Sequence, residues 1–227
     1  MKYKLVENGK RNQTIIKVVG VGGCGGNAID HMVANGVEGV ETISANTDSQ
    51  ALTKNKATEK IILGELNNNG QGAGGKPDVG RDMALDDYER LTTMFDGSDM
   101  VFIAAGMGGG TGTGAAPIVA RAAKEVGALA VAIVTKPMSL EFKDELAEIG
   151  IKELRSEVDS LITIPNQKLS EVFGGDCTML EAFGHANDVL LGAVRGIADI
   201  ITQTGYINVD FNDVRTCLLY TSDAADE

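Results

Sequence analysis

Residues that build metal sites, disulfide frameworks and membrane spans are scarce in this chain of 227 residues. Its three cysteines, Cys24, Cys177 and Cys217, are odd in number and lack pairwise metal spacing, and His31 and His185 lie far apart. The pattern therefore predicts neither a zinc site nor a disulfide framework. No uninterrupted apolar run approaches the ~20 residues of a membrane-spanning helix, and the amino terminus lacks the apolar core of a signal peptide. We expect a cytoplasmic protein.

Basic residues are also few. The chain has 20 Lys and Arg against 32 Asp and Glu, which gives a formal net charge of -12 at pH 7. This excess of negative charge argues against binding to nucleic acid or to an anionic membrane surface, although a local anion site made of backbone N–H groups is compatible with it. With 43% hydrophobic residues, a chain of this length can form one large domain with a substantial core.

Glycine, in contrast, is abundant, and residues 106–114 form a loop made almost entirely of glycine and threonine. An apolar run at 100–105 precedes it and predicts a buried strand, and the alanine-rich segment 114–126 predicts a helix. Glycine lets backbone approach an anion closely, and the first N–H groups of a helix have no partner within it. The sequence therefore predicts a phosphate site, with Thr111 and Thr113 as further donors. A flexible linker is the alternative, but ordering glycine between a strand and a helix costs conformational entropy that a bound ligand would offset.

Strand and helix patterns alternate along the chain. The strand-like runs are 15–19, 40–45, 60–63, 100–105, 129–134 and 160–164. Helical patterns cover 26–35, 79–95, 114–126 and 140–158, followed by a long one at 178–204. This alternation predicts an α/β, doubly wound, Rossmann-like domain with a mostly parallel sheet and helices on both faces. Ligands of such sheets bind beyond the carboxyl ends of the strands.

Two further glycine-rich segments bear on the ligand. Residues 20–25 fit the G-x-G-x-x-G pattern of dinucleotide-binding oxidoreductases, but that reading leaves the second loop unexplained. Neither loop contains the Gly-Lys-Ser or Gly-Lys-Thr of a Walker phosphate loop. The polar segment 67–77 is either a flexible surface loop or a lid that closes over a ligand.

Several segments, in their order along the chain, resemble the tubulin and FtsZ superfamily of GTPases. They are 20–27, 45–48, the signature-like loop 106–114, 134–137, 158–166, 182–188 and 208–216. The resemblance covers about residues 14–216. It implies GTP and GDP as ligands, Mg²⁺ as cofactor, and head-to-tail homo-oligomers that form the division ring at midcell and bind division partners through a tail that this chain lacks. The alternative is a nucleotide-dependent interaction module with little turnover.

The same resemblance implies the site residues. Nucleotide contacts are expected from Gly23, Cys24, Gly25, Gly26, Asn27, Asn46, Asp48, Gly72, Ala73, Gly108, Gly109, Gly110, Thr111, Gly112, Thr113, Glu141, Lys143, Asn166, Phe183 and Asn187. Among them Phe183 and Asn187 would stack on and recognise guanine; the less favoured alternative for Phe183 is an ordinary core aromatic. The glycines would hold the phosphates, with Gly72 and Ala73 near the terminal one.

Catalysis is assigned by the resemblance to Asp210 and Asp213, with Asn208 as a polar helper, in a loop at 208–216. In the family this loop enters the nucleotide pocket of the next subunit, where its carboxylates position the attacking water. Read without the resemblance, such a carboxylate pair is more often a solvated turn or a helix cap.

The chain departs from the family pattern at three places. Glu141 matches the residue expected on ribose, but Lys143 stands where the family has an arginine, so a point charge replaces a bidentate fork. Cys24 replaces a glycine, and its side chain must either point away from phosphate or narrow the pocket; a low-pKa thiol at a helix N-terminus is an alternative that no nearby base supports. Residues 217–227 resemble nothing in the family.

These segments predict a division of the chain. It comprises a flexible extension at 1–13, a GTP-binding domain at 14–177, a long central helix at 178–207, the catalytic loop at 208–216 and a frayed, non-native end at 217–227 that follows a truncation.

Overall fold

Six parallel strands form the central sheet. The computed structural model describes residues 14–138, 141–173, 178–202 and 211–224. The strands are β1 (Ile16–Val21), β2 (Glu41–Asn46), β3 (Glu59–Ile62), β4 (Met100–Gly106), β5 (Leu129–Lys136) and β6 (Ser160–Pro165). Their order in the sheet is β3-β2-β1-β4-β5-β6, and every neighbouring pair is parallel. Each strand-like run of the sequence coincides with one of them, which confirms the doubly wound α/β fold.

Helices cover both faces of the sheet. They are α1 (Gly22–Ala34), α2 (Ser49–Lys54), α3 (Glu65–Asn68), α4 (Pro77–Asp86), α5 (Tyr88–Phe95), α6 (Thr111–Glu125), α7 (Asp144–Glu157), α8 (Asn166–Phe173), α9 (Met179–Thr202) and α10 (Phe211–Ala224). Within the described ranges, no helix combines the length and the apolar character needed to cross a membrane.

Alternation along the strands divides the core into two layers. Val18 of β1 lies in the layer that α1 and α9 cover, and the next residue, Val19, lies in the layer under α4 to α7. Both faces of a sheet in this arrangement are buried, so its strands are continuous apolar runs rather than alternating ones. All six residues of β1 are buried. Buried strands such as β1 could therefore be recognised in the sequence as continuous apolar runs.

One predicted helix is wrong in its extent. The pattern at 79–95 suggested a single helix, but the chain turns at Asp87 between α4 and α5. The buried Asp87 carboxylate accepts a hydrogen bond of 2.7 Å from the backbone N–H of Gly64 and one of 2.6 Å from Arg90. These contacts with a distant loop and with the following turn outweigh the local helical periodicity.

The carboxyl-terminal part also differs from expectation. Residues 211–224 form one helix, so the expected loop up to Thr216 and the expected frayed end from Cys217 are wrong for these residues. Phe211, Val214 and Leu218 recur at helical spacing and pack against the layer formed with α9. Burial of these three side chains gives the segment a reason to be helical.

Glycine positions in two helices give a stability test. At Gly114 of α6, an added Cβ would lie 1.9 Å from the carbonyl oxygen of Pro77 and 2.8 Å from the backbone nitrogen of Arg81. Gly114→Ala should therefore push α4 and α6 apart and lower the free energy of unfolding by about 1–3 kcal/mol or more. Urea denaturation followed by circular dichroism measures this.

The matched control is Gly196→Ala in α9, where an added Cβ meets no atom within 4 Å. This exposed helical position should become more stable by about 0.5–1 kcal/mol. Equal effects of the two substitutions would show that α4 and α6 are not in backbone contact.

Candidate functional site

Two helices begin side by side at the carboxyl edge of the sheet. Helix α1 starts at Gly22, directly after β1, and α6 starts at Thr111, after the neighbouring strand β4. Neither helix has a side-chain cap or an acidic residue in its first turn. Their first N–H groups and the positive ends of both helix dipoles therefore face the same space without an internal anion. This arrangement suits a phosphate group.

A cavity of about 290 Å³ lies at these two helix starts. Its lining comprises Val21, Gly23, Cys24, Gly106, Met107, Gly109, Gly110, Thr111, Gly112, Thr135, Pro137, Glu141, Lys143, Asn166 and Phe183. A second cavity, of about 560 Å³, is lined by Cys24, Asn27, Thr135, Asn166, Leu180, Phe183, Gly184, Ala186 and Asn187. The shared lining residues make the two cavities one cleft, with a glycine-rich end and an end formed by α9.

Backbone contact between the two glycine loops shapes the first end. Gly22 has a φ of 73°, and an added Cβ would lie 2.9 Å from the backbone nitrogen of Gly112. At Gly112 an added Cβ would lie 2.4 Å from the carbonyl oxygen of Gly106. The loops touch through main-chain atoms, so side chains are excluded between them. Gly23 and Gly109 face open space and line the cavity.

Three threonines fix the second loop. Thr113 is 2% exposed, and its hydroxyl accepts a hydrogen bond of 2.9 Å from the backbone N–H of Gly108. The hydroxyls of Thr111 and Thr47 share a hydrogen bond of 2.7 Å. The predicted donor Thr113 is thus engaged within the loop, whereas Thr111 lines the cavity. Thr47 lies in the segment 45–48 that contributed to the family resemblance, but it was not predicted as a site residue.

Six other predicted residues surround the cavity without lining it. Asp48 caps α2 by accepting from the backbone N–H groups of Gln50 and Ala51, and the side chain of the buried Asn46 accepts a hydrogen bond of 3.3 Å from the Asp48 backbone N–H. Gly72 donates its N–H to the Thr47 carbonyl at 2.9 Å.

Ala73 is buried beside Gly110, where an added Cβ would lie 3.0 Å from the Ala73 Cβ. The segment 67–77, for which a flexible surface loop and a lid were the two alternatives, thus rests against the second glycine loop at Ala73, and its role toward a ligand stays a prediction. In α1, Gly25 packs against the carbonyl oxygen of Ala104, and the Gly26 carbonyl accepts a hydrogen bond of 2.8 Å from Asn55.

Cys24 lies where the two cavities join. Its Sγ shares a 3.5 Å hydrogen bond with the Thr135 hydroxyl, and a Cβ added at Gly106 would lie 2.9 Å from it. Burial raises the pKa of the Cys24 thiol; the hydrogen bond with Thr135 opposes this effect, and the negative charge of Glu141 adds to it. The alternative of a low-pKa thiol at the helix N-terminus is therefore wrong. The side chain neither turns away from the cleft nor carries charge at neutral pH, and it narrows the cleft.

Glu141 and Lys143 bring side-chain charge to the glycine-rich end. Glu141 accepts a hydrogen bond of 3.0 Å from the backbone N–H of Met138, and the Lys143 Nζ lies 3.8 Å from its other carboxylate oxygen. Lys143 is the single cationic side chain among the described residues that line this cavity. Its backbone also packs beside Gly108, where an added Cβ would lie 2.9 Å from the Lys143 Cβ. The glycine-rich end thus combines many backbone dipoles with one point charge.

An amide and an aromatic ring form the other end. Asn166, the first residue of α8, is 4% exposed, and its Oδ1 has no hydrogen-bond partner among the residues that the structure describes. Phe183 of α9 is 38% exposed, and Asn187 lies one turn further along the same helix. A buried acceptor without a partner is costly, so a donor from a ligand would relieve it. A flat, hydrogen-bonding base suits this end, and Phe183 is not an enclosed core aromatic.

The predicted catalytic residues are only partly within the described structure. Asn208 and Asp210 lie outside the described residues. Asp213 is exposed in the first turn of α10 and is absent from the lining of either cavity. Sequence reasoning missed one lining residue with a polar side chain, Thr135, and the glycine and apolar lining residues Val21, Gly106, Met107, Pro137, Leu180, Gly184 and Ala186. For Thr135 a signal was available. Its position near the carboxyl end of a central strand was the available signal.

The donor set limits how Mg²⁺ could bind. Among the described residues, no group of three or more histidine, cysteine or acidic side chains could hold a metal ion. Mg²⁺ is usually held by one or two carboxylates together with substrate phosphates and water. Glu141 offers one carboxylate in the cavity. The residues present therefore fit Mg²⁺ within a metal–nucleotide complex rather than in a cage made by protein alone.

Comparisons with known proteins agree with this geometry. Residues 15–174 match the model of the Tubulin/FtsZ family, GTPase domain. The chain is 55% identical over 218 residues to the cell division protein FtsZ of Pseudomonas aeruginosa and 56% identical over 218 residues to that of Coxiella burnetii. Each match covers 95% of this chain but only 55% and 56% of the relative, so the chain spans about half their length.

A solved structure shows the same fold. An empty FtsZ dimer from M. jannaschii superposes with a TM-score of 0.86 at 42% identity, covering 91% of this chain and 61% of that one. The family match replaces the dinucleotide-binding oxidoreductase that the first glycine loop alone would have suggested. The chain belongs to the Tubulin/FtsZ family, and residues 15–174 are the part that corresponds to its GTPase domain.

Proposed function

We propose that this chain binds GTP and GDP in the cleft between α1, α6 and α9, and that it hydrolyses GTP as the nucleotide-binding part of a filament-forming cytoskeletal protein of bacterial cell division. The observation that carries the proposal is one cleft with two uncapped helix N-termini at one end and the unpartnered Asn166 beside Phe183 at the other. The relatives are cell division proteins, which supports the cellular role.

The phosphates bind at the glycine-rich end. Backbone N–H groups of the first turns of α1 and α6 donate to them, and Lys143 adds one positive charge. When bound, Mg²⁺ supplies further neutralisation of phosphate charge, with Glu141 as the protein carboxylate within reach of the cavity. The base lies at the other end, where the Phe183 ring stacks on it and Asn166 and Asn187 supply amide groups.

Hydrolysis requires a second subunit. Asp213, with Asn208 and Asp210, enters the cleft of a neighbouring chain and positions the water that attacks the terminal phosphate. The exposed placement of Asp213 outside its own chain's cleft supports action in trans. The M. jannaschii relative was solved as a dimer, in keeping with self-association. In the longer protein, head-to-tail filaments would form the division ring at midcell in the cytoplasm.

A second candidate is a nucleotide-dependent interaction module with little turnover. The observation that favours it is the pairing of Lys143 with Glu141 at 3.8 Å, because a paired point charge stabilises a transferring phosphoryl group less than a bidentate arginine. Turnover measurements separate the two candidates.

Asn166→Leu tests the base end of the cleft. GDP affinity should fall about tenfold or more, because a hydrogen bond from the base is lost. The free energy of unfolding of the nucleotide-free chain should stay unchanged or rise, because the substitution removes a buried acceptor without a partner. Isothermal titration calorimetry and urea denaturation measure the two quantities.

Asn55→Leu is the matched control. Asn55 is also buried, but its amide donates to the Gly26 carbonyl at 2.8 Å and accepts from the Ala57 N–H at 2.9 Å. This variant should lose about 2 kcal/mol or more of stability. A destabilised Asn166→Leu chain with unchanged GDP affinity would contradict the proposed role of Asn166.

Complementation between variants tests the trans arrangement. Asp213→Ala keeps an intact cleft, and Asn166→Leu keeps an intact Asp213, so each alone should hydrolyse GTP slowly. In an equimolar mixture of the two, about a quarter of random head-to-tail interfaces join an intact cleft to an intact Asp213. GTP turnover, measured as phosphate release with Mg²⁺, should therefore recover toward about a quarter of the parent rate.

The unsubstituted chain should also show a turnover per chain that climbs with protein concentration. A rate that is independent of concentration, together with no recovery in the mixture, would place the reaction within one chain. A rate near zero at every concentration despite bound GDP would favour the interaction module.

A further inference from the structure

The cleft contains a thiol where its two cavities join. Cys24 lines both cavities, and its Sγ lies 3.5 Å from the Thr135 hydroxyl. The same cleft holds the buried Asn166 Oδ1 without a partner, which independently indicates that a ligand enters here. The thiol is therefore placed where the phosphate-binding and base-binding ends of a nucleotide meet.

We propose that Cys24 is a covalent modification site for small uncharged carbon electrophiles, open only when the cleft holds no nucleotide, and that its modification excludes the nucleotide in turn. This inference rests on the proposed nucleotide function of the cleft. It adds a class of ligand, alkylating agents such as haloacetamides, that reacts with this chain's own Cys24.

Packing around the thiol explains the mutual exclusion. On the sheet side, Cys24 meets Gly106, where an added Cβ would lie 2.6 Å from the Cys24 Cβ and 2.9 Å from its Sγ. Thr135 closes a second side. Atoms added to the sulfur cannot enter the sheet, so they extend into the cleft. An adduct there occupies part of a cavity of about 290 Å³ that the phosphates need.

The chemistry is that of a slow thiol. The thiolate is the nucleophile, and burial raises the pKa of Cys24, so only a small fraction is thiolate at neutral pH. With iodoacetamide, the sulfur attacks the methylene carbon, a C–S bond forms, the C–I bond breaks, iodide leaves and the thiol proton passes to solvent. Unfolding in urea removes the burial, so Cys24 should react faster in the denatured chain than in the native one.

Peptide mapping measures the alkylation of each cysteine separately. Cleavage after lysine and arginine places Cys24 in peptide 18–54, Cys177 in 169–195 and Cys217 in 216–227. The nucleotide-free chain is treated with iodoacetamide, with and without saturating GDP, and alkylation is followed by mass spectrometry. GDP should slow the alkylation of Cys24 at least tenfold and leave that of Cys217, which is exposed in α10, unchanged.

A second measurement tests the reverse effect. Alkylated chain should bind GDP at least tenfold more weakly than untreated chain, whereas Cys24→Ser treated in the same way should keep the affinity it has before treatment. Circular dichroism checks that both remain folded. Loss of affinity in treated Cys24→Ser would assign the effect to another residue and overturn the proposal.

Direct GDP binding by the untreated chain, measured by equilibrium dialysis, separates the two hypotheses. Bound GDP that leaves the Cys24 alkylation rate unchanged would overturn the modification site and leave the nucleotide function standing. Absence of GDP binding would reject the nucleotide function itself.

Discussion

The contact between two glycine loops at the carboxyl ends of β1 and β4 is the constraint on which the site depends. Gly22 meets Gly112, and Gly112 meets Gly106, through main-chain atoms with no room for a Cβ. This contact brings the starts of α1 and α6 together on neighbouring strands, so two sets of N–H groups share one space. The loops can touch only because β1 and β4 are neighbours in the sheet and each is followed directly by its loop and helix.

The sequence predicts those parts of the fold that one local pattern determines. Strands β4 and β5 are buried on both faces, so the continuous apolar runs at 100–105 and 129–134 identified them. Asp87 shows why helix bounds were less accessible, because its carboxylate is engaged by Gly64, 23 positions away in sequence. Helix α10 shows the same limit: Phe211, Val214 and Leu218 have helical spacing, but the layer against which they pack is formed by residues distant in sequence.

The candidate site divides in the same way. Glycine composition and order along the chain were enough to indicate a phosphate end, and the family resemblance added Asn166 and Phe183 at the base end. The hydrogen bond between Thr47 and Thr111 joins residues that are distant in sequence, so no spacing in the sequence indicates it. The position of Cys24 beside Thr135 follows from the sheet order, in which β1 and β5 lie on either side of β4, and not from its own motif.

The shape of the glycine-rich end depends on residues without side chains, and this limits which substitutions it tolerates. Every substitution of a glycine adds atoms, and at a position such as Gly112 there is no room for them. The base end is made of side chains, Phe183 and Asn187 among them, that can be exchanged for larger or smaller ones. Substitution can therefore change the size and polarity of the α9 end of the cleft, whereas at the glycine-rich end it can only add atoms.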